Sequence, residues 1–228
     1  MTLVLTNDDG IGAPGIRALW QTARSLQQSA VIIAPFEQHS GCGHQVTTTT
    51  PISIERWAEY EWAVKGTPVD CTRLALSHLC PNVKWVISGI NAGGNLGVDA
   101  YISGTVAAAR EAAFHRIPAI AISHYRHGKR PIDWQLATRL SQKVLHLLFQ
   151  RPVTPGTYWN VNLPHVEANT PDPEIIFCKP CTQPLPATYQ LDGEFFVYAG
   201  EYGKRQRDPG GDVDICFSGQ ISVTQISV

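Results

Sequence analysis

Short apolar runs alternate with amphipathic segments through most of the chain, and this alternation restricts the fold more than any other feature of the sequence. The runs at 3–5, 30–34, 83–87 and 118–122 have the length and composition of strands that are buried on both faces. Between such runs, apolar residues recur at helical spacing, as they do over 134–150. Strands that alternate with helices are typical of a parallel sheet covered on both faces. The sequence therefore predicts the α/β class, with a mostly parallel sheet.

Three of the predicted helices carry recognisable start signals. Pro14 is well placed as the first residue of a helix, because a proline there loses no helical hydrogen bond. Thr67 followed by Pro68 combines a capping hydroxyl with a proline in the first turn. Ser103 precedes an alanine-rich helix of high intrinsic propensity.

The pattern changes after residue 165. Proline-rich turns separate short stretches such as 195–198 and 220–224, which is typical of hairpins or an extended arm. No helix is predicted in this part. We therefore divide the chain into a catalytic core, 1–165, and a β-rich carboxyl-terminal arm, 166–228. An arm with so little core of its own is expected to pack on a second subunit.

Composition excludes several classes of protein. A net charge of −1 gives no basic field for a nucleic acid polymer. No apolar run approaches the length that spans a bilayer, and the amino terminus lacks a leader pattern, so we expect a cytoplasmic protein without membrane contact. The Cys-x-x-Cys at 178–181 precedes a proline-rich segment and has no second pair, so it is interpreted as incidental.

Polar side chains follow three predicted strands, where each strand ends. Asp8 and Asp9 follow the first, Ser40 follows the second and Asn91 follows the third. The carboxyl ends of parallel strands meet at one edge of a sheet, where ligands bind. An all-oxygen set suits Mg²⁺, Mn²⁺ or Ca²⁺ better than zinc or copper. These four residues are the predicted ligands of one divalent metal ion per subunit, and Asp8, Asp9 and Asn91 are the predicted catalytic residues.

Other interpretations of these clusters remain open at this stage. Two adjacent aspartates alone are more often an exposed turn with solvated acids. A phosphatase with an aspartyl nucleophile is also possible. The histidine-rich loop 39–44 could suggest zinc, although such histidines are more often ordinary polar groups. The chain has neither a nucleoside triphosphate loop motif nor a dinucleotide-binding motif after the first strand.

A predicted anion site lies close to the predicted metal site. Ser103, Gly104 and Thr105 open a helix, whose first amides and dipole favour negative charge. Gly41 would let the backbone approach a phosphate closely. Asn95 is near enough in sequence to contact substrate, although it could equally form a turn. A metal and an anion site at one sheet edge indicate phosphoryl chemistry.

These residues also form an ordered series of motifs that resembles the SurE survival-protein family of 5′-nucleotidases. The motifs extend over nearly the whole chain, and they are Asn7-Asp8-Asp9-Gly10, Ala13-Pro14-Gly15-Ile16, Gly66-Thr67-Pro68-Val69-Asp70-Cys71, Ser88-Gly89-Ile90-Asn91-Ala92-Gly93, Ser103-Gly104-Thr105-Val106-Ala107-Ala108, Asn160-Val161-Asn162-Leu163-Pro164 and Ser222-Val223-Thr224.

The resemblance implies a Rossmann-like three-layer α/β/α core and a carboxyl-terminal arm that exchanges between subunits of a homodimer or homotetramer. It implies metal-dependent removal of phosphate from nucleoside monophosphates, with Asp8, Asp9, Ser40 and Asn91 as metal ligands. The chain departs from the family pattern at Tyr101-Ile102 and in ending at Val228.

We therefore predict a divalent-metal-dependent phosphatase that hydrolyses nucleoside 5′-monophosphates. The predicted phosphate-binding residues are Gly41, Asn95, Ser103, Gly104 and Thr105. One alternative is a non-catalytic nucleotide-binding protein that retains the metal site, which the departures from the family pattern motivate. Another is a phosphatase for a different ester, such as polyphosphate or a sugar phosphate.

Overall fold

The computed structural model describes residues 1–167 and 170–228. Its strands and α-helices follow in chain order as β1 (Thr2–Thr6), α1 (Pro14–Ser25), β2 (Ala30–Pro35), β3 (Ile54–Ala58), β4 (Glu61–Val64), α2 (Pro68–Leu74), β5 (Val83–Asn91), α3 (Gly104–Phe114), β6 (Ala119–His124), α4 (Trp134–Leu148), β7 (Thr157–Leu163), β8 (Ile175–Phe177), β9 (Tyr189–Asp192), β10 (Phe195–Tyr198), α5 (Asp212–Phe217) and β11 (Ile221–Ser227). A π-helical turn at Ala75–Leu79 continues α2, and short 3₁₀ turns occupy Gly97–Tyr101 and Tyr202–Lys204.

In the described part of the chain, nine strands form one sheet in the order β3-β4-β2-β1-β5-β6-β7-β11-β8. The six strands from β4 to β7 are mutually parallel. The chain runs outward from β1 through β2 to β4, then returns to the other side of β1 at β5. The strand order therefore reverses between β1 and β5, as it does in doubly wound folds.

The strands bury both faces because successive side chains point to opposite sides. In β1, Leu3 and Leu5 lie in the core cluster that includes α1 and α4, whereas Val4 lies in the cluster that includes α2 and α3. These two cores on either side of the sheet make three layers. The predicted α/β fold with a mostly parallel sheet is confirmed.

The predicted helix starts are confirmed in atomic detail. Asp70 N donates to Thr67 Oγ1 at 3.2 Å, and Thr67 N donates to Asp70 Oδ2 at 2.9 Å, which is a reciprocal capping box at the start of α2. Val106 N donates to Ser103 Oγ at 3.1 Å, so Ser103 is the N-cap of α3.

The carboxyl-terminal part contributes to two sheets. β11 pairs antiparallel with β7 and parallel with β8, while β9 and β10 form a separate hairpin. The division into 1–165 and 166–228 stays a prediction, and residues 168 and 169 lie outside the described residues.

The prediction that no helix follows residue 165 is wrong, because α5 is helical. Its six residues are too few for apolar periodicity to be visible in the sequence. Its stability comes from tertiary packing, since Val213 and Cys216 are buried in a small core with Leu96 and Tyr125.

Among the residues that the structure describes, no helix is long and apolar enough to cross a membrane.

Candidate functional site

A cleft of about 490 Å³ opens at the carboxyl ends of β1 and β5, where the strand order reverses. All four predicted metal ligands line it: Asp8, Asp9, Ser40 and Asn91. They lie together because β2, β1 and β5 are adjacent parallel strands whose ends share one edge. The sequence therefore predicted the grouping of these side chains correctly, while their binding of a metal stays a prediction.

The turn after β1 determines where the two aspartates lie. Asn7 Nδ2 donates to the carbonyl of Gly10 at 2.8 Å, which closes the turn around Asp8 and Asp9. Gly10 has a φ of +96°, a backbone conformation that favours glycine. His39 N donates to the carbonyl of Asp8 at 2.7 Å, so the loop that carries Ser40 is joined directly to this turn.

Both carboxylates are held in surroundings that disfavour their charge. Asp8 is 5% exposed. Burial raises its pKa to about 6, the hydrogen bond from the Thr105 hydroxyl opposes the rise, and the charge of Asp9 adds to it. Burial also raises the pKa of Asp9, and the backbone amide of Ala92, 3.2 Å from Asp9 Oδ2, opposes that rise. Within the described parts of the chain, neither aspartate has a Lys, Arg or His partner.

The start of α3 packs directly against Asp8. Thr105 Oγ1 donates to Asp8 Oδ1, and Thr105 is fully buried. A Cβ atom at Gly104 would lie 2.9 Å from both Asp8 Cβ and Cys42 Sγ. Only glycine therefore lets the positive end of the helix come this close to the carboxylate.

The two asparagines of the cleft are fixed by different contacts. Asn91 Nδ2 donates to the carbonyl of Gly93 at 2.8 Å, which orients its amide. Asn95 is buried, and its Nδ2 donates to Ser123 Oγ at 2.7 Å. The carbonyl of Asn95 also accepts from Asn160 Nδ2 and Asn162 Nδ2, at 2.8 and 3.0 Å. Asn95 thus links the cleft to β6 and β7.

The predicted phosphate-binding residues separate into two groups. Gly41, Asn95 and Ser103 line the cleft. Gly104 and Thr105 are buried behind it, against Asp8. The structure therefore shows these two residues in contact with a predicted metal ligand, and their role toward phosphate stays a prediction.

Sequence reasoning missed several residues that line the same cleft, namely Gln38, Ala92, Asp99, Ile102, Arg126, Leu185 and Tyr202. Gln38 could have been found, because it lies two residues before Ser40, and its Nε2 donates to Ser40 Oγ at 2.7 Å. Leu185 and Tyr202 had no local signal. They come from the carboxyl-terminal part and reach the cleft by tertiary packing alone.

The predicted ligand set fits a hard cation. Two adjacent carboxylates without a positive partner, one buried (Asp8) and one partly buried (Asp9), are costly unless a cation neutralises them. Asp8, Asp9, Ser40 and Asn91 offer carboxylate, hydroxyl and amide oxygens, which magnesium, manganese and calcium prefer. Within residues 1–167 and 170–228, no three His, Cys, Asp or Glu side chains form a metal-binding cluster. A cation here would therefore depend on the neutral oxygens as well as the two aspartates.

The three-layer fold and the acidic cleft at the strand reversal define a Rossmann-like α/β protein with its ligand site at the carboxyl edge of the sheet. The family model described as survival protein SurE matches residues 3–184. The chain belongs to the SurE family.

Individual relatives agree with this assignment. A Nostoc relative, whose name gives 5′-nucleotidase as a provisional activity, is 57% identical over 100% of both chains. A protein of Paramagnetospirillum magneticum named 5′-nucleotidase SurE is 34% identical over 99% of this chain and 89% of its own length. The crystal structure of a SurE protein from Aquifex aeolicus is 30% identical, with a TM-score of 0.88 over 100% of this chain and 93% of that chain.

Proposed function

We propose that the chain is a divalent-metal-dependent phosphatase that hydrolyses nucleoside 5′-monophosphates to nucleoside and phosphate. Family membership and the names of the relatives support this class of reaction. The observation that carries the proposal is the Asp8–Asp9 pair, of which Asp8 is buried against the start of α3. The unneutralised carboxylate pair would attract a cation, and the adjacent helix N-terminus would attract an anion such as phosphate.

Each residue of the proposed site has a defined task. Asp8, Asp9, Ser40 and Asn91 would hold one magnesium or manganese ion, with calcium as the alternative. When bound, such an ion supplies charge neutralisation of the phosphoryl group and a more acidic water. Thr105 orients Asp8 through its hydroxyl, and Gln38 orients Ser40. Ser103 and Gly41 lie in the cleft where phosphate would bind.

The decisive experiment measures inorganic phosphate release from nucleoside 5′- and 3′-monophosphates, polyphosphate and a sugar phosphate. The assays contain manganese or magnesium, with a chelator as the metal control. We expect release that is fastest with the 5′-monophosphates and lost with chelator. Fastest release from polyphosphate or the sugar phosphate would favour a different phosphatase.

Asp8→Asn is the matching variant, because an asparagine oxygen can still accept the hydrogen bond from Thr105. It should lose activity by at least a hundredfold while folding normally. The control is Asp192→Asn, since Asp192 is an exposed residue at the end of β9, outside the cleft. Nucleotide binding without phosphate release by the metal-loaded wild type would contradict the enzyme proposal.

We also propose that the chain assembles with a second copy of itself. The hairpin of β9 and β10 exposes large apolar side chains, with Leu191 68%, Phe195 75% and Phe196 76% exposed. Such a surface is costly in water unless it is covered. A homodimer or homotetramer would cover it.

A further inference from the structure

The cleft is also lined by residues that are not assigned to metal or phosphate. Four of them, Ile102, Arg126, Leu185 and Tyr202, are called here the second half of the cleft. Ile102 is 56% exposed although it is apolar, and Leu185 and Tyr202 are only partly covered. Among the described residues that line the cleft, Arg126 is the one Lys or Arg side chain. Most side chains in this half of the cleft are apolar, so this surface is not suited to binding a phosphate group.

Tyr202 is held in place in this half of the cleft by buried polar contacts. Its hydroxyl donates to Asp99 Oδ2 at 2.5 Å, and Arg205 Nη1 donates to the same oxygen at 2.8 Å. The Arg205 side chain is fully buried, so its ion pair with Asp99 is shielded from water. The Tyr202 ring also stacks toward Tyr125, with ring centres 6.5 Å apart and an interplanar angle of 30°. The ring is therefore oriented before any ligand arrives.

We infer that this half of the cleft binds the nucleoside part of the substrate, with Tyr202 as the aromatic surface for the base. The inference rests on the proposed function and adds the residues that select the leaving group. A nucleobase is planar and has apolar faces, so a fixed aromatic ring that lines the same cleft as Ile102 and Leu185 matches it. Arg126 can attract the anionic nucleotide or stack on the base. Asp99 and Arg205 are positioning residues, because they act through Tyr202.

The first test compares two substrates that share a phosphate ester and differ in the base. Adenosine 5′-monophosphate carries the base, and glycerol 2-phosphate does not. In Tyr202→Ala, we expect KM for adenosine 5′-monophosphate to rise about tenfold, since base–aromatic stacking is worth this much. KM for glycerol 2-phosphate should stay within about twofold of wild type. Tyr202→Phe should lie near wild type on both substrates, because it keeps the ring.

Two further variants control this comparison. Tyr60→Ala removes a half-exposed tyrosine that lies outside the cleft, so neither KM should change. Ile102→Ser alters an exposed side chain of the same half of the cleft and should fold even if Tyr202→Ala does not. It should raise KM for the nucleotide selectively, to a smaller degree. Equal effects on both substrates, or none on the nucleotide, would overturn the inference.

A second measurement separates this inference from the proposed function. Isothermal titration of adenosine, which has no phosphate, requires neither metal nor turnover. Wild type and Tyr60→Ala should bind adenosine, and Tyr202→Ala should bind it about tenfold more weakly. If wild type binds adenosine through Tyr202 but releases no phosphate, the proposed function fails and the nucleoside site stands. If adenosine binding is absent or unaffected by Tyr202→Ala, the nucleoside site is wrong.

Discussion

At the scale of single residues, Gly104 shows how little space separates the candidate site from the helix behind it. Glycine is ordinarily a poor helix residue, and alanine is favoured over it by about 1 kcal/mol in a helix interior. Here the missing Cβ is the reason for its presence, because Asp8 and Cys42 occupy the space that a methyl group would need. Glycine at this position lowers the helix propensity but allows the start of α3 to lie close to Asp8.

We predict that Gly104→Ala lowers kcat/KM for nucleoside 5′-monophosphates by at least about tenfold. Either Asp8 or the start of α3 must move to accept the methyl group, and displacement of a catalytic group by a fraction of an ångström is costly. Phosphate-release kinetics would measure the loss, and thermal unfolding would show that the fold persists.

Gly12→Ala is the matched control for this substitution. Gly12 lies in the loop between β1 and α1, and a Cβ there would have no neighbour within 4 Å. It should keep near wild-type activity. Unchanged activity in Gly104→Ala would mean that the close approach of α3 to Asp8 is unimportant for the reaction.

At the scale of elements, Glu111 joins three separate pieces of the structure. It lies on α3 and is 1% exposed. His44 Nε2, from the loop that carries Ser40, lies 2.8 Å from Glu111 Oε2. Arg73 Nε, on α2, donates to Oε1 at 2.5 Å, and His115 Nε2 lies 3.2 Å from the same oxygen. Burial alone would raise the pKa of Glu111, but these three partners outweigh it and lower the pKa to about 2.

We predict that Glu111 stabilises the fold above about pH 4.5 and that this contribution is lost as the pH falls toward about 2. The sign follows because its pKa is lower in the folded chain, so the unfolded chain takes up the proton first. Glu111→Gln should therefore be less stable than wild type at pH 7 by about 3 kcal/mol. Urea denaturation at pH 7, 4.5 and 3 would show the difference shrinking at low pH.

Glu194→Gln controls for the loss of a carboxylate at the surface. Glu194 is exposed in the turn between β9 and β10, so its variant should follow the wild-type pH profile. A constant difference between wild type and Glu111→Gln at every pH would contradict the electrostatic explanation.

Elements with strong local signals were predictable from the sequence. The apolar run of β1, the polar cluster after it and the capping residues of α2 and α3 each act over a few residues. The rule that ligands bind at the carboxyl edge of the sheet then brought Asp8, Ser40 and Asn91 to one place. These parts agree because local pattern and global fold require the same residues.

The remaining parts depend on contacts that no local pattern records. α5 has six residues, and its buried apolar residues pack into a small local core. Tyr202 reaches Asp99 across 103 positions of sequence, so its place in the cleft follows from the path of the carboxyl-terminal segment. Packing between distant segments determines these features, and sequence periodicity does not record such packing.

At the scale of the whole molecule, the hairpin of β9 and β10 is the feature that the single chain leaves incomplete. It forms its own two-stranded sheet, and its side chains are exposed along both strands. An isolated two-stranded hairpin is marginally stable in water. Contact with another subunit would give it a partner surface.

We predict that the wild type is a homodimer or homotetramer and that Phe195→Ser combined with Phe196→Ser yields a smaller species. The two phenylalanines are 75% and 76% exposed, so the change removes apolar surface without opening a core. Size-exclusion chromatography with light scattering would measure the mass. Tyr60→Ser, in the turn between β3 and β4, should keep the wild-type mass, and a monomeric wild type would contradict the prediction.

Three of the four residues in the second half of the cleft come from a later stretch of the gene than the first half. The residues proposed for the chemistry lie between Asp8 and Thr105, whereas Arg126, Leu185 and Tyr202 are encoded later. With the proposed assignment, mutations in the later stretch would alter which leaving group is accepted, while the residues proposed for hydrolysis would stay constant. Such an arrangement allows substrate preference to diverge among descendants without passing through an inactive ancestor.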